Sequence, residues 1–203
     1  MLRSLPLLLL VLVLSACAGT RSQPRPDSAA PAPAPAPSAT PETAPRPFRS
    51  PMGGFSVQLP YAPTEEQSEQ ATGTGDVVTH TFTASDPLET TAYFLSYTDF
   101  PPEALAQTTP AQLLENAARA GAESLGAAQV SARPVTLEGF PGQEVRASAE
   151  GRELRGRVYL VGHRLYQQLL LHPAGAPPAE AERYFSSFAL DPQVTRTLLT
   201  PGS

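Results

Sequence analysis

The sequence predicts an α+β domain, an antiparallel sheet of six to seven strands with helices packed on it. Three observations carry this. Runs of alternating or β-branched and aromatic residues recur from residue 52 onward, several of them joined by short Gly turns. Two segments switch to the three-to-four-residue period of an amphipathic helix. Pro, 24 of 203 residues, is densest ahead of these runs, where it prevents either structure from propagating.

The elements follow in order. Residues 1–16 read as a signal peptide: Arg3 supplies a positive charge and Leu5 to Leu14 an apolar stretch about half the roughly 20 residues a membrane span needs. The stretch ends Leu14-Ser15-Ala16-Cys17, which resembles the lipobox of bacterial lipoprotein precursors. That resemblance implies cleavage after Ala16, diacylglycerol on the Cys17 sulfur and acylation of the new amino terminus. Each buried methylene contributes about 0.8 kcal/mol, so two or three acyl chains hold a protein on a bilayer where one does not. The alternative is an ordinary signal peptide with an Ala16-Cys17-Ala18 site. The single Cys of the chain stands at the one position where a lipobox needs it. Ala18, where Asp retains enterobacterial lipoproteins at the inner membrane, implies the outer membrane of a Gram-negative cell envelope.

Residues 17–50 are expected to be a disordered Pro/Ala tether. Residues 18–50 hold nine Pro and eight Ala, with a net charge of +2. Residues 51–203 carry nine Arg against 17 acids, so the acidity belongs to the folded part. An acidic domain does not neutralise phosphates along a duplex, which excludes nucleic acid as a partner. One Cys excludes an intrachain disulfide framework and a multi-Cys metal site.

The domain is expected over 51–192. Phe55 to Leu59 alternates and stops at Pro60. Tyr61 to Asp76 is a long polar loop or a hairpin connection. Val77 to Ala84 and Thr91 to Thr98 read as strands. Thr109-Pro110-Ala111-Gln112 opens a helix with a capping box and Pro in the first turn. Leu114, Ala117, Ala118, Gly121 and Leu125 share its apolar face, and Gly126 stops it. Four strands follow, over 129–137, 143–149, 153–161 and 164–171, separated by residues 138–142, Glu150-Gly151 and Gly162-His163. Pro177-Pro178 opens a short helix that aligns Ala181, Tyr184, Phe185 and Phe188. A frayed tail is expected over 193–203.

Gly54 to Pro60, Leu137 to Glu144, Arg157 to Tyr166 and Phe185 to Phe188 are together similar to the opening strand, central turn, long hairpin and closing helix of the PsbP-like α/β/α sandwich family. The resemblance covers roughly residues 52–191. It implies helices on both faces of the sheet, and family members that mostly bind or assemble other molecules without catalysing a reaction.

No catalytic constellation stands out. His80, His163 and His172 form no close pair, Gly73-Thr74-Gly75 precedes a strand and so reads as a turn, and Glu65, Glu66 and Glu69 read as a solvated acidic stretch. No metal or cofactor is expected. The strongest candidate site comes from register. If Glu150-Gly151 and Gly162-His163 are two-residue turns, Glu144 faces Arg157, Arg157 faces Gln168 and Tyr159 faces Tyr166. These five residues then form a polar, aromatic strip suited to an anionic or glycan ligand. The alternative is structural: Glu144 and Arg157 pair, and the tyrosines pack beneath a helix with their hydroxyls reaching solvent. The functional expectation is a non-catalytic binding or assembly domain, anchored to the membrane through lipid on Cys17 and meeting an envelope protein partner. The alternatives are a small-ligand carrier with a pocket between sheet and helix, and a hydrolase with a dispersed site.

Overall fold

A computed structural model describes residues 46–200, except 74, 125, 128 and 129. All of these belong to the unit spanning Pro41–Ser203. The expected signal peptide, Cys17 and the tether as far as residue 45 lie outside the described residues. Among the described residues, no helix is long and apolar enough to cross a membrane.

The larger of two sheets has seven antiparallel strands in the order β3-β4-β5-β9-β8-β7-β6. These are β3 (Thr64–Thr72), β4 (Gly75–Ser85), β5 (Ala92–Asp99), β6 (Val130–Leu137), β7 (Phe140–Ala149), β8 (Arg152–Val161) and β9 (Arg164–Pro173). The smaller sheet joins β1 (Arg46–Ser50), β2 (Phe55–Leu59) and β10 (Ala189–Leu190), with β2 in the middle. The helices are α1 (Pro102–Ala106), α2 (Pro110–Glu123), α3 (Ala181–Ser186) and α4 (Pro192–Leu199). The α+β architecture, a seven-stranded antiparallel sheet with helices packed on it, is thus present.

The large sheet buries both faces, for different reasons. One face meets α2. Thr109 and Gln112 form the expected capping box, and Leu114, Ala118 and Ala122 pack on Val145, Val158, Leu160, Leu165, Ala147 and Leu154. Small alanines let the helix lie close to the sheet. The other face meets the small sheet together with α3 and α4. Phe55, Val57, Leu59, Tyr184, Phe185, Phe188 and Leu198 converge there on Phe82, Tyr93, Leu95, Tyr97, Tyr166 and Leu170. Aromatic rings dominate this layer; Phe55 alone lies 5.5–6.4 Å, centroid to centroid, from five other rings.

Four expectations change. Phe55–Leu59 is not a strand of the main meander; it forms the centre of the second sheet, and β3 takes the seventh place in the first. All nine residues of β3 are exposed, so no apolar alternation marks it. The expected tether ends earlier, because Arg46–Ser50 pairs with β2 and Phe48 packs 5.1 Å from Phe82. Pro47 is tolerated because β1 is an edge strand. The expected frayed tail contains α4: Asp191 accepts from the Gln193 amide at 2.8 Å, Pro192 occupies the first turn, and Leu198 is buried. This docking needs two glycines with positive φ. A side chain at Gly54 would collide with Val194, and one at Gly162 with the Leu198 carbonyl.

Candidate functional site

Every register relation expected from the two turns is present. Glu144 pairs with Arg157, Arg157 with Gln168, and Tyr159 with Tyr166. All five side chains therefore share the sheet face that meets α3 and the small sheet.

Burial divides them. Gln168 is fully buried and donates from Nε2 to the Tyr184 carbonyl at 3.2 Å. Tyr166 is equally buried, and its hydroxyl donates to the Gly53 carbonyl at 2.7 Å. Tyr159 stacks on Phe188 with ring centroids 6.3 Å apart. The hydroxyls of Tyr159 and Tyr166 do not reach solvent as the structural alternative expects; burial raises both above the ordinary tyrosine range, and each stays protonated. These three residues lie within the core, with no surface open to a ligand.

The charged end of the strip is different. Glu144, only 1% exposed, receives four guanidinium groups. Its Oε1 accepts from Nη2 of Arg133 at 2.9 Å and of Arg146 at 3.2 Å. Its Oε2 accepts from Arg157 Nε at 3.0 Å and lies 3.6 Å from Arg155 Nη2. Burial by itself would raise the Glu144 pKa; bonds from Arg133 and Arg157, the charge of Arg155 and the bond from Arg146 outweigh it and hold the group at about 2. Arg155 also pairs with Glu182, whose carboxyl that bond lowers. Arg155 and Arg157 both lie over the Phe185 ring, at 4.5 and 5.3 Å from its centroid. Arg157 donates further to the Phe185 carbonyl at 3.4 Å.

Arg133 and Arg146 were outside the sequence-based strip, and both were legible. Residue 146 is two from 144 on one strand, so it shares its face. Arg133 follows from the β6–β7 turn, where Leu137 pairs with Phe140 around Glu138 and Gly139. The connection is the two residues Glu138 and Gly139 and not the expected 138–142, and this shorter turn places Arg133 opposite Glu144.

Next to this cluster is a groove of about 640 Å³ between the outer ends of β6–β9 and the segment leading into α3. Arg146, Arg155, Leu170, His172, Pro178 and Glu182 are among its walls. His172 is buried, its Nδ1 lies 2.8 Å from the Pro173 carbonyl, and its Nε2 lies 3.9 Å from Glu153. His80 instead stacks on Tyr97 at 4.5 Å, with Glu65 3.3 Å from its Nδ1, far along the sheet on β4. His163 stands in the β8–β9 turn and accepts the Phe100 amide at its carbonyl. The three histidines remain apart. Among the described residues, no group of three His, Cys, Asp or Glu side chains gathers as a metal site.

The chain is similar in backbone to the solution structure of cyanobacterial PsbP (CyanoP) from Synechocystis sp., at a TM-score of 0.48 and 14% identity, over 73% of this chain and 93% of that one. No protein-family model matches the chain. No curated protein matches it either.

Proposed function

We propose that this protein is a lipid-anchored component of a bacterial cell envelope whose folded domain is a non-catalytic binding module. The observation that carries the anchor is the position of the chain's single Cys, residue 17, at the end of Leu14-Ser15-Ala16-Cys17. Lipid on that sulfur and on the new amino terminus ties the protein to the membrane. The Pro/Ala stretch then spaces the domain from the surface; at about 3.1 Å per residue an extended stretch of this kind reaches on the order of 100 Å. Ala18 favours the outer membrane, and a protein partner in the envelope is the expected contact. The test is Cys17→Ser in the native host. The variant is expected to leave the membrane fraction and to lack acyl mass on residue 17. Full retention in membranes overturns the anchor.

A second reading, a small-ligand carrier, is favoured by the groove beside α3. Native mass spectrometry of the purified full chain tests it: a copurified small molecule supports a carrier, and a bare chain from several growth conditions removes it.

A further inference from the structure

Glu144 is outnumbered. Four guanidiniums, of Arg133, Arg146, Arg155 and Arg157, face two carboxylates, of Glu144 and Glu182, leaving a surplus of two positive charges. Glu153, the next acid along this face, is turned to His172 and to the Gly175 amide. The surplus arises on an acidic domain and so owes nothing to general basicity.

The four arginines divide into an inner and an outer pair. Arg155 and Arg157 lie against Phe185 and are mostly covered. The side chains of Arg133 and Arg146 are 64% and 61% exposed, yet both are held on the same oxygen, Glu144 Oε1. Each uses Nε and Nη2 there. A guanidinium carries five N–H donors, so most of the donors of each remain directed away from Glu144. Exposed arginines ordinarily lose side-chain entropy when they grip a ligand. Here a buried carboxylate has already fixed both, which lowers that cost. Two planar forks a few ångströms apart, with surplus positive charge behind them, match an anion with several oxygens and two negative charges.

We propose that Arg133 and Arg146, positioned by Glu144, form a clamp for a phosphate monoester whose remaining body lies in the groove bounded by Leu170 and Pro178. A phosphate monoester carries close to two charges at neutral pH, which matches the surplus; a phosphate diester or a lone carboxylate offers one. The ester belongs either to a small soluble molecule or to a lipid headgroup. The clamp rests on the reading of the domain as a binding module and is independent of the anchor at Cys17.

The test is calorimetric titration of the full chain in non-ionic detergent with glycerol 3-phosphate and with phosphatidic acid in mixed micelles, using glycerol and diacylglycerol as uncharged controls. At least one phosphate probe is expected to bind at one site per chain. Replacing both arginines, Arg133→Gln with Arg146→Gln, is expected to weaken it by about tenfold or more, as loss of charge-assisted bonds does. Arg119→Gln, on α2 across the sheet, is expected to leave it unchanged. Glu144→Gln adds a positive charge but frees the forks, so affinity is expected to fall. A rise in the folded variant shows attraction to net charge alone and overturns the clamp. Absence of binding by either phosphate probe, or equal binding by the double variant, also overturns it. Binding of glycerol 3-phosphate without phosphatidic acid assigns a soluble ester, and preference for phosphatidic acid assigns a headgroup; both support the clamp. If phosphate fails while native mass spectrometry finds another ligand, the binding-module reading survives and the clamp falls.

Discussion

Two acid–arginine arrangements sit on the same face of the large sheet, and they are built to opposite ends. At one end, Arg164 meets Asp99 in a two-pronged pair, Nε to Oδ1 at 2.6 Å and Nη2 to Oδ2 at 2.7 Å. Its remaining nitrogen donates to the carbonyls of Met52 and Gly53 at 2.9 and 3.0 Å, and its guanidinium lies 4.5 Å from the Tyr97 ring centroid. One anion and two carbonyls take four of the five donors of the fork, and the loop between β1 and β2 is fastened to the large sheet. At the other end, one buried carboxylate is shared by four cations, two of them largely in solvent. The difference teaches that an ion pair with matched partners serves as a staple, whereas a mismatched one leaves a local surplus of positive charge.

The sharpest way to break the comparison is at the staple. Arg164→Met removes every one of those bonds, leaves Asp99 without its cation and the Met52 carbonyl without its guanidinium donor, and leaves Gly53 only the Tyr166 hydroxyl. It is expected to cost about 4 kcal/mol in denaturant unfolding of the full chain. A loss below about 1 kcal/mol, the range of exposed pairs, removes the distinction between the two ends.

Glu144→Gln comes next. The carboxyl is held below its ordinary value, so its stabilisation is present above that ordinary value and disappears as pH falls through about 2. The expected cost at pH 7 is about 3 kcal/mol. The stability difference between wild type and variant should narrow between about pH 5 and pH 2, with wild type losing stability and the variant staying flatter. A constant difference across that window means that the charge contributes nothing.

Gly54→Ala tests the staple's neighbour. Its φ is +69° and Val194 occupies the space a Cβ needs. A cost of about 2 kcal/mol is expected from strain and displacement of α4, read by the same unfolding experiment. The smallest effect belongs to Arg133→Gln and Arg146→Gln, each expected to change stability by less than about 1 kcal/mol because both side chains are solvated. A large loss at either makes that end a second staple.

Much of the fold is legible in local chemistry. The Thr109–Gln112 capping box, the α2 face and the β7–β8 and β8–β9 turns all rest on interactions within a few residues, and the two turns alone bring Glu144, Arg157 and Gln168 into line. The site was legible in part for the same reason: Arg133 needed only the shorter reading of the β6–β7 turn. The depth at which each member of the strip lies was not legible. Alternation states which face a side chain takes and says nothing of what covers that face.

By itself the sequence determined the class of most apolar elements, the register across β7, β8 and β9, and the single thiol on which the anchor proposal stands. Tertiary structure alone decided that Phe55–Leu59 joins a separate sheet, that the exposed β3 completes the large one, that Leu198 seats α4 beside Gly162, and that Tyr159, Tyr166 and Gln168 are sealed while Arg133 and Arg146 stay in water. The reason is range. Caps, turns and periodicity act over a few residues and are written there, whereas burial and the balance of charge are sums over segments distant in the chain and exist only once those segments have met.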